Sequence, residues 1–145
     1  MPEPGCADLT GLHILVVEDS ADLGTAVASL LQACAAEVAG PVATTADAYR
    51  LIEGRLPDVA LIDIHLRAGE RADDLIAGLH DQGVRVVVTS GDSSRLGGRV
   101  QADVMLSKPF SEDELIAAVM PARVALGASR TVQPSGPPVR TAAIR

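Results

Sequence analysis

With 145 residues the chain has room for one ordinary domain and little more. Hydrophobic residues make up 48% of it, yet Tyr49 and Phe110 are its only large aromatics, so any core must be built from Val, Leu, Ile and Ala. A formal net charge of -7 argues against a nucleic-acid or anionic-membrane surface, and no apolar run is long enough to span a bilayer.

The N-terminus lacks a basic stretch followed by an apolar segment, so a soluble cytoplasmic protein is expected. Residues 1–10, with Pro2, Pro4 and Gly5, read as a flexible lead ahead of a domain over 11–126. Residues 127–145 hold Pro134, Pro137 and Pro138 and three arginines without an acidic residue, the composition of a disordered tail. Cys6 and Cys34 have no metal-site or redox spacing and read as a surface thiol and a small buried hydrophobe.

Between these ends, short apolar runs alternate with amphipathic segments. The runs are Leu12–Val17, Val38–Val42, Val59–Ile62, Val84–Val88 and Val104–Leu106. They are largely unbroken, as expected of parallel strands covered on both faces. Helical spacing follows the first run at Leu23, Val27, Leu30, Leu31 and Cys34, the second at Ala48, Leu51 and Ile52, and the third at Ala72, Leu75, Ile76 and Leu79. Ser93–Gln101 should supply a fourth helix, but Gly97 and Gly98 predict a short or mobile one. The last helix opens on a capping box, Ser111 to Glu114, and Pro121 should end or kink it. Five βα units predict a three-layer, doubly wound α/β sandwich on a parallel five-stranded sheet.

In such a sheet, function collects at the carboxyl ends of the strands. Those ends carry Glu18-Asp19-Ser20 after the first run, Asp63-Ile64-His65 after the third, Thr89-Ser90-Gly91 after the fourth and Ser107-Lys108-Pro109-Phe110 after the fifth. In the strand order 2-1-3-4-5 the first and third strands are neighbours, so their carboxylates meet. Crowded carboxylates repel unless a cation compensates, and a hard divalent ion suits an all-oxygen set. Mg²⁺ held by Asp19 and Asp63, with Glu18 acting through water and the His65 backbone carbonyl completing the set, is the expected arrangement. Lys108 is the only lysine beside eleven arginines, which suggests that a compact point charge is needed where it stands. Its bond to Pro109 is a candidate cis peptide.

Glu18-Asp19, Asp63 and Lys108-Pro109-Phe110, in that order and at those strand ends, resemble the receiver domain of two-component response regulators. The resemblance covers about Gly11 to Leu126. It implies a flavodoxin-like fold of the chemotaxis-regulator kind. It also implies phosphoryl transfer to Asp63 from a histidine kinase or a histidine phosphotransfer protein. Glu18 and Asp19 match the Mg²⁺-binding pair, and Lys108 matches the lysine that contacts the phosphoryl group. Ser90 is favoured over Thr89 as the hydroxyl that senses it. The position of an aromatic switch residue is taken by Met105, which puts an aromatic rotamer switch in doubt. Such domains commonly pair through the fourth helix, fifth strand and fifth helix, although Gly97 and Gly98 weaken the case for a homodimer here.

A stand-alone receiver is the leading expectation: not a classical enzyme, but a phosphoacceptor that acts on an unknown downstream protein or serves as a relay intermediate or sink. One alternative is a receiver-like interaction module with little phosphorylation. Another is a Mg²⁺-dependent phosphohydrolase with an aspartyl-phosphate intermediate. Against the latter, His65 stands where such enzymes carry an acidic general acid. His65 could tune dephosphorylation or be a bystander. His13 and His80 read as ordinary half-buried or surface residues. A nucleotide-binding module is disfavoured because Glu-Asp-Ser, not a glycine-rich loop, follows the first strand.

Overall fold

A computed structural model describes residues 7–66, 72–91 and 102–132, with side chains to Ala122. The elements are β1 (His13–Val17), α1 (Ala21–Ala33), β2 (Glu37–Val42), α2 (Thr45–Gly54), β3 (Val59–Asp63), α3 (Asp73–Asp81), β4 (Arg85–Ser90), β5 (Val104–Ser107) and α4 (Glu112–Val132). The strands form one parallel sheet of order β2-β1-β3-β4-β5. This is the expected doubly wound architecture. The segment expected to form a helix between β4 and β5, Ser93–Gln101, lies outside the described residues.

Strand alternation divides the apolar residues between two cores. Ile14, Val16, Leu61 and Val87 pack with Leu31 of α1 and Leu115 and Val119 of α4. Leu15, Ile62, Val86 and Val88 pack on the other face with Leu75, Ile76 and Leu79 of α3. All of these side chains are buried. The unbroken apolar runs of β1, β3 and β4 follow from covering on both faces. The runs at β2 and β5 differ: both are edge strands and only partly buried, so the expectation of two covered faces fails there.

The helices begin where side chains can satisfy their first amide groups. Ser20 caps α1 by accepting from the Leu23 N–H at 3.3 Å, and Thr44 caps α2 by accepting from the Asp47 N–H at 3.1 Å. At α4 the expected capping box is complete. The Glu114 N–H donates to Ser111 Oγ at 3.0 Å, and the Ser111 N–H donates to Glu114 Oε1 at 2.8 Å.

The two ends of the domain differ from their sequence expectations. Pro121 does not end the last helix, which runs to Val132 and so into the segment read as tail. The carbonyl that Pro121 deprives of its helical donor belongs to exposed Ala117, where water can serve. The Arg85 Nε–H also donates to the Ala118 carbonyl in this turn at 2.8 Å. The lead is not loose as far as residue 10. Leu9 is fully buried in the α1/α4 core, and its N–H donates to the Cys34 carbonyl at 2.8 Å. Cys34 is buried as expected, whereas Cys6 lies outside the described residues.

β2 is also irregular. Leu15 pairs with Ala39 and Val17 with Val42, so two steps along β1 correspond to three along β2. The extra residue falls at the cis Gly40-Pro41 pair, where Gly40 has φ +97. A Cβ on Gly40 would lie 2.6 Å from the Val16 carbonyl oxygen. Gly40→Ala should therefore lower stability by about 2 kcal/mol, through both the left-handed backbone and the clash. Urea denaturation followed by circular dichroism measures it.

At the opposite end of the sheet, His13 is largely buried, with Nδ1 lacking a hydrogen-bond partner among the described residues. Burial, helped by the Arg55 charge, pushes its pKa below the usual 6.5, against the opposing pull of Glu37 and Asp58. The fold thus favours the neutral ring. That contribution is complete above pH 6.5 and is lost as the pH falls through the lower folded value. His13→Gln should flatten the stability decline between about pH 7 and 5 relative to the parent chain, measured by urea midpoints at each pH.

Candidate functional site

The strands deliver their acidic and basic residues to one place because Glu18, Asp63 and Lys108 share a parity. Each continues the alternate positions that face α1 and α4: Ile14 and Val16, Val59 and Leu61, Val104 and Leu106. Glu18 and Asp63 are buried and Asp19 is half-buried. Carboxylate oxygens of these three residues lie within 4.8 Å of one another.

Lys108 spans the cluster. Its ammonium donates to Glu18 Oε1 at 2.8 Å and to Asp63 Oδ2 at 3.0 Å. The second oxygen of each carboxylate is also engaged: the Ser20 N–H donates to Glu18 Oε2 and the His65 N–H to Asp63 Oδ1, both at 3.0 Å. Burial pushes the Glu18 pKa up and nearby Asp63 adds to this, against the hydrogen bonds from Lys108 and Ser20. Burial alone would lower the Lys108 pKa, but its hydrogen bonds to Glu18 and Asp63 and their charges outweigh it and raise it. The ammonium therefore stays charged across the physiological range.

Backbone contacts hold these side chains in place. The Glu18 N–H donates to the Val42 carbonyl at 2.9 Å, just beyond the β2 bulge. The N-terminal part of α1 comes close to that bulge: a Cβ on Gly24 would lie 2.9 Å from Pro41 Cβ and 3.6 Å from Glu18 Cβ. The Lys108 N–H donates to the Ser90 carbonyl at 2.8 Å, and the Lys108-Pro109 bond is cis, as its sequence suggests.

The remaining site candidates are distributed as follows. Thr89 pairs in register with Asp63 and shares its face, whereas Ser90 points to the other face one residue further along β4. Both are buried. His65 is half-buried beside Asp63, which it meets through its N–H. Met105 is exposed on edge strand β5, in register with Val88. Gly24, Gly40 and Pro41 support the site but were not singled out from the sequence. Gly40-Pro41 inside an apolar run was the available signal, since this pair marks a bulge or an edge strand.

Three carboxylates against one ammonium leave a formal charge of -2 at the cluster. Oxygen-only donors carrying that charge fit a hard divalent cation such as Mg²⁺. The carboxylates of Glu18, Asp19 and Asp63 could hold such an ion together.

No family model and no curated protein matches the chain. Among solved structures it is similar to the response regulator PhyR from Brucella abortus, at TM-score 0.73 and 24% identity over 86% of this chain and 52% of that one. It is also similar to a CheY-like receiver domain from Methylobacillus flagellatus (TM-score 0.68, 22% identity, 77% of this chain and 98% of that one). SdrG from Sphingomonas melonis Fr1 gives TM-score 0.68 and 25% identity over 81% and 98%. The chain spans about half the length of PhyR and nearly the whole of the other two. Its fold is that of a response-regulator receiver domain. No described helix is long and apolar enough to cross a membrane.

The charge arrangement predicts opposite effects for two substitutions. Asp19→Asn should raise metal-free stability by about 1 kcal/mol by removing repulsion, and stabilisation by Mg²⁺ should disappear. Lys108→Met should cost about 2 kcal/mol because it leaves Glu18 and Asp63 without their shared cation, and Mg²⁺ should recover part of the loss. Thermal melts with and without MgCl₂ read both.

Proposed function

We propose that this domain accepts a phosphoryl group on Asp63 and is a Mg²⁺-dependent signalling module. The observation that carries the reading is the Lys108 ammonium bridging Asp63 and Glu18 beside Asp19, at the carboxyl edge of a receiver-type sheet. The donor is a phosphohistidine on a histidine kinase or a histidine phosphotransfer protein. The consequence is binding to a downstream protein or passage of the group along a relay, with this domain as intermediate or sink.

Each residue has a chemical task. An Asp63 carboxylate oxygen attacks phosphorus as the donor imidazole nitrogen leaves. The hydrogen bonds from the His65 N–H and Lys108 fix the carboxylate so that little reorganisation is required. Lys108, tethered by Glu18, is positioned to turn its ammonium toward the new phosphoryl oxygens. Mg²⁺, when bound by Asp19 and Asp63, with the His65 carbonyl as a further oxygen donor, supplies charge neutralisation at the transferring group.

Ser90 is the hydroxyl assigned to the phosphoryl group. On β4 it stands one residue beyond the row of Asp63 and on the opposite face, so it has to move to reach that group, which is the movement that the resemblance to receiver domains implies. Thr89 lies within the row and is the alternative. The exposed Met105 occupies the switch position with a flexible thioether.

With Mg²⁺ and acetyl phosphate, the parent chain should gain one phosphoryl group by intact mass, and Asp63→Asn none. Labelling of the variant at the parent level would rule out Asp63 as the acceptor. Ser90→Ala should still label but lose the phosphorylation-induced NMR shifts of β5 and α4, whereas Thr89→Ala should keep them. Steady turnover of a generic phosphate ester should be absent; observing it would favour a phosphohydrolase.

A further inference from the structure

Glu18 is held by two backbone anchors that come from different elements. The Ser20 N–H, at the cap of α1, donates to Glu18 Oε2 at 3.0 Å, and the Glu18 N–H donates to the Val42 carbonyl of β2 at 2.9 Å. The other carboxylate oxygen, Oε1, accepts from the Lys108 ammonium at 2.8 Å. The place of Glu18, and with it the tether on Lys108, is therefore set by how α1 and the β2 bulge sit against each other.

Those two elements meet at Gly24. It is buried one turn into α1, and its N–H donates to the Ser20 carbonyl at 2.9 Å. A Cβ at this position would stand 2.9 Å from Pro41 Cβ, 3.2 Å from Pro41 Cγ and 3.6 Å from Glu18 Cβ. The first distance is too short for two carbon atoms, and a proline ring cannot swing aside. Relief has to come from the backbone. Either α1 backs away and carries the Ser20 N–H with it, or β2 retreats and carries the Val42 carbonyl. Each movement takes an anchor from Glu18. We infer that Gly24 is a positioning residue: by letting α1 rest directly on Pro41 it keeps Glu18, and through Glu18 the Lys108 ammonium, in place beside Asp63.

Gly24 brings no charge to the cluster, so it acts only through these neighbours. A displaced Glu18 loosens its hold on the ammonium, which then settles on Asp63, its other partner at 3.0 Å. Lys108 there competes with a cation for the Asp63 carboxylate. This last step rests on the Mg²⁺ reading proposed above, whereas the displacement of Lys108 does not.

Lys108 is the only lysine of the chain, so its side-chain ammonium gives a single NMR resonance, which is read without metal. Gly24→Ala should shift that resonance. In a Mg²⁺ titration it should also weaken binding by roughly tenfold, the size typical when a residue that orients a metal ligand is lost. Gly78→Ala in α3 is the control: a Cβ there meets nothing within 4 Å, and neither reading should change. Pro41→Ala removes the ring from the other side of the contact and should also move the resonance, which keeps the test open if Gly24→Ala does not fold. An unchanged Lys108 resonance in either folded variant, or an equal shift in Gly78→Ala, would overturn the inference. A shifted resonance with no Mg²⁺ binding by the parent chain would uphold it and count against the metal reading instead.

Discussion

The bridge from Lys108 to Glu18 and Asp63 is the interaction on which the site depends. It draws together side chains from the ends of three strands, and two of the three groups are buried carboxylates. Buried like charges are costly, and a single ammonium lowers that cost without cancelling it. What remains is a formal charge of -2 in an all-oxygen cluster, which suits a divalent cation. Retaining that charge sacrifices stability in a protein whose two cores are otherwise almost entirely aliphatic.

The scaffold restricts how this bridge can form. A parallel sheet with alternating side chains sends Glu18, Asp63 and Lys108 to the same face. The bulge at Gly40-Pro41 lets the Val42 carbonyl meet the Glu18 N–H, and Gly24 allows α1 to approach the same bulge. β2 thus contributes no charged group to the cluster, yet it sets where Glu18 sits. Loss of the methyl-free surface at Gly24 or Gly40 would act on the site through backbone position rather than through charge.

The parts legible in the sequence were those dictated by short-range pattern. β1, β3 and β4 are aliphatic runs covered on both faces, and α4 begins on a capping box whose two hydrogen bonds both form. The meeting of Glu18, Asp19, Asp63 and Lys108 could be read because strand-end position in a doubly wound sheet fixes which residues come together. The misreadings came from tertiary context. Pro121 sits where solvent and Arg85 can serve the turn it disturbs, so the helix continues. Leu9 follows a proline-rich lead but is drawn into the α1/α4 core, which no local pattern announces. β2 and β5 carry the same apolar signal as the central strands, and only the strand order reveals them as edges.

The most direct measurement is a crystal structure with Mg²⁺ and beryllofluoride, a stable phosphoryl mimic. The account predicts beryllium bonded to an Asp63 carboxylate oxygen and the metal held by Asp19 and Asp63. It also predicts that Lys108 Nζ lies within hydrogen-bonding distance of a fluoride while keeping Glu18 as its tether. A mimic bound elsewhere, or an Asp63 that still holds Lys108 and excludes both mimic and metal, would contradict it.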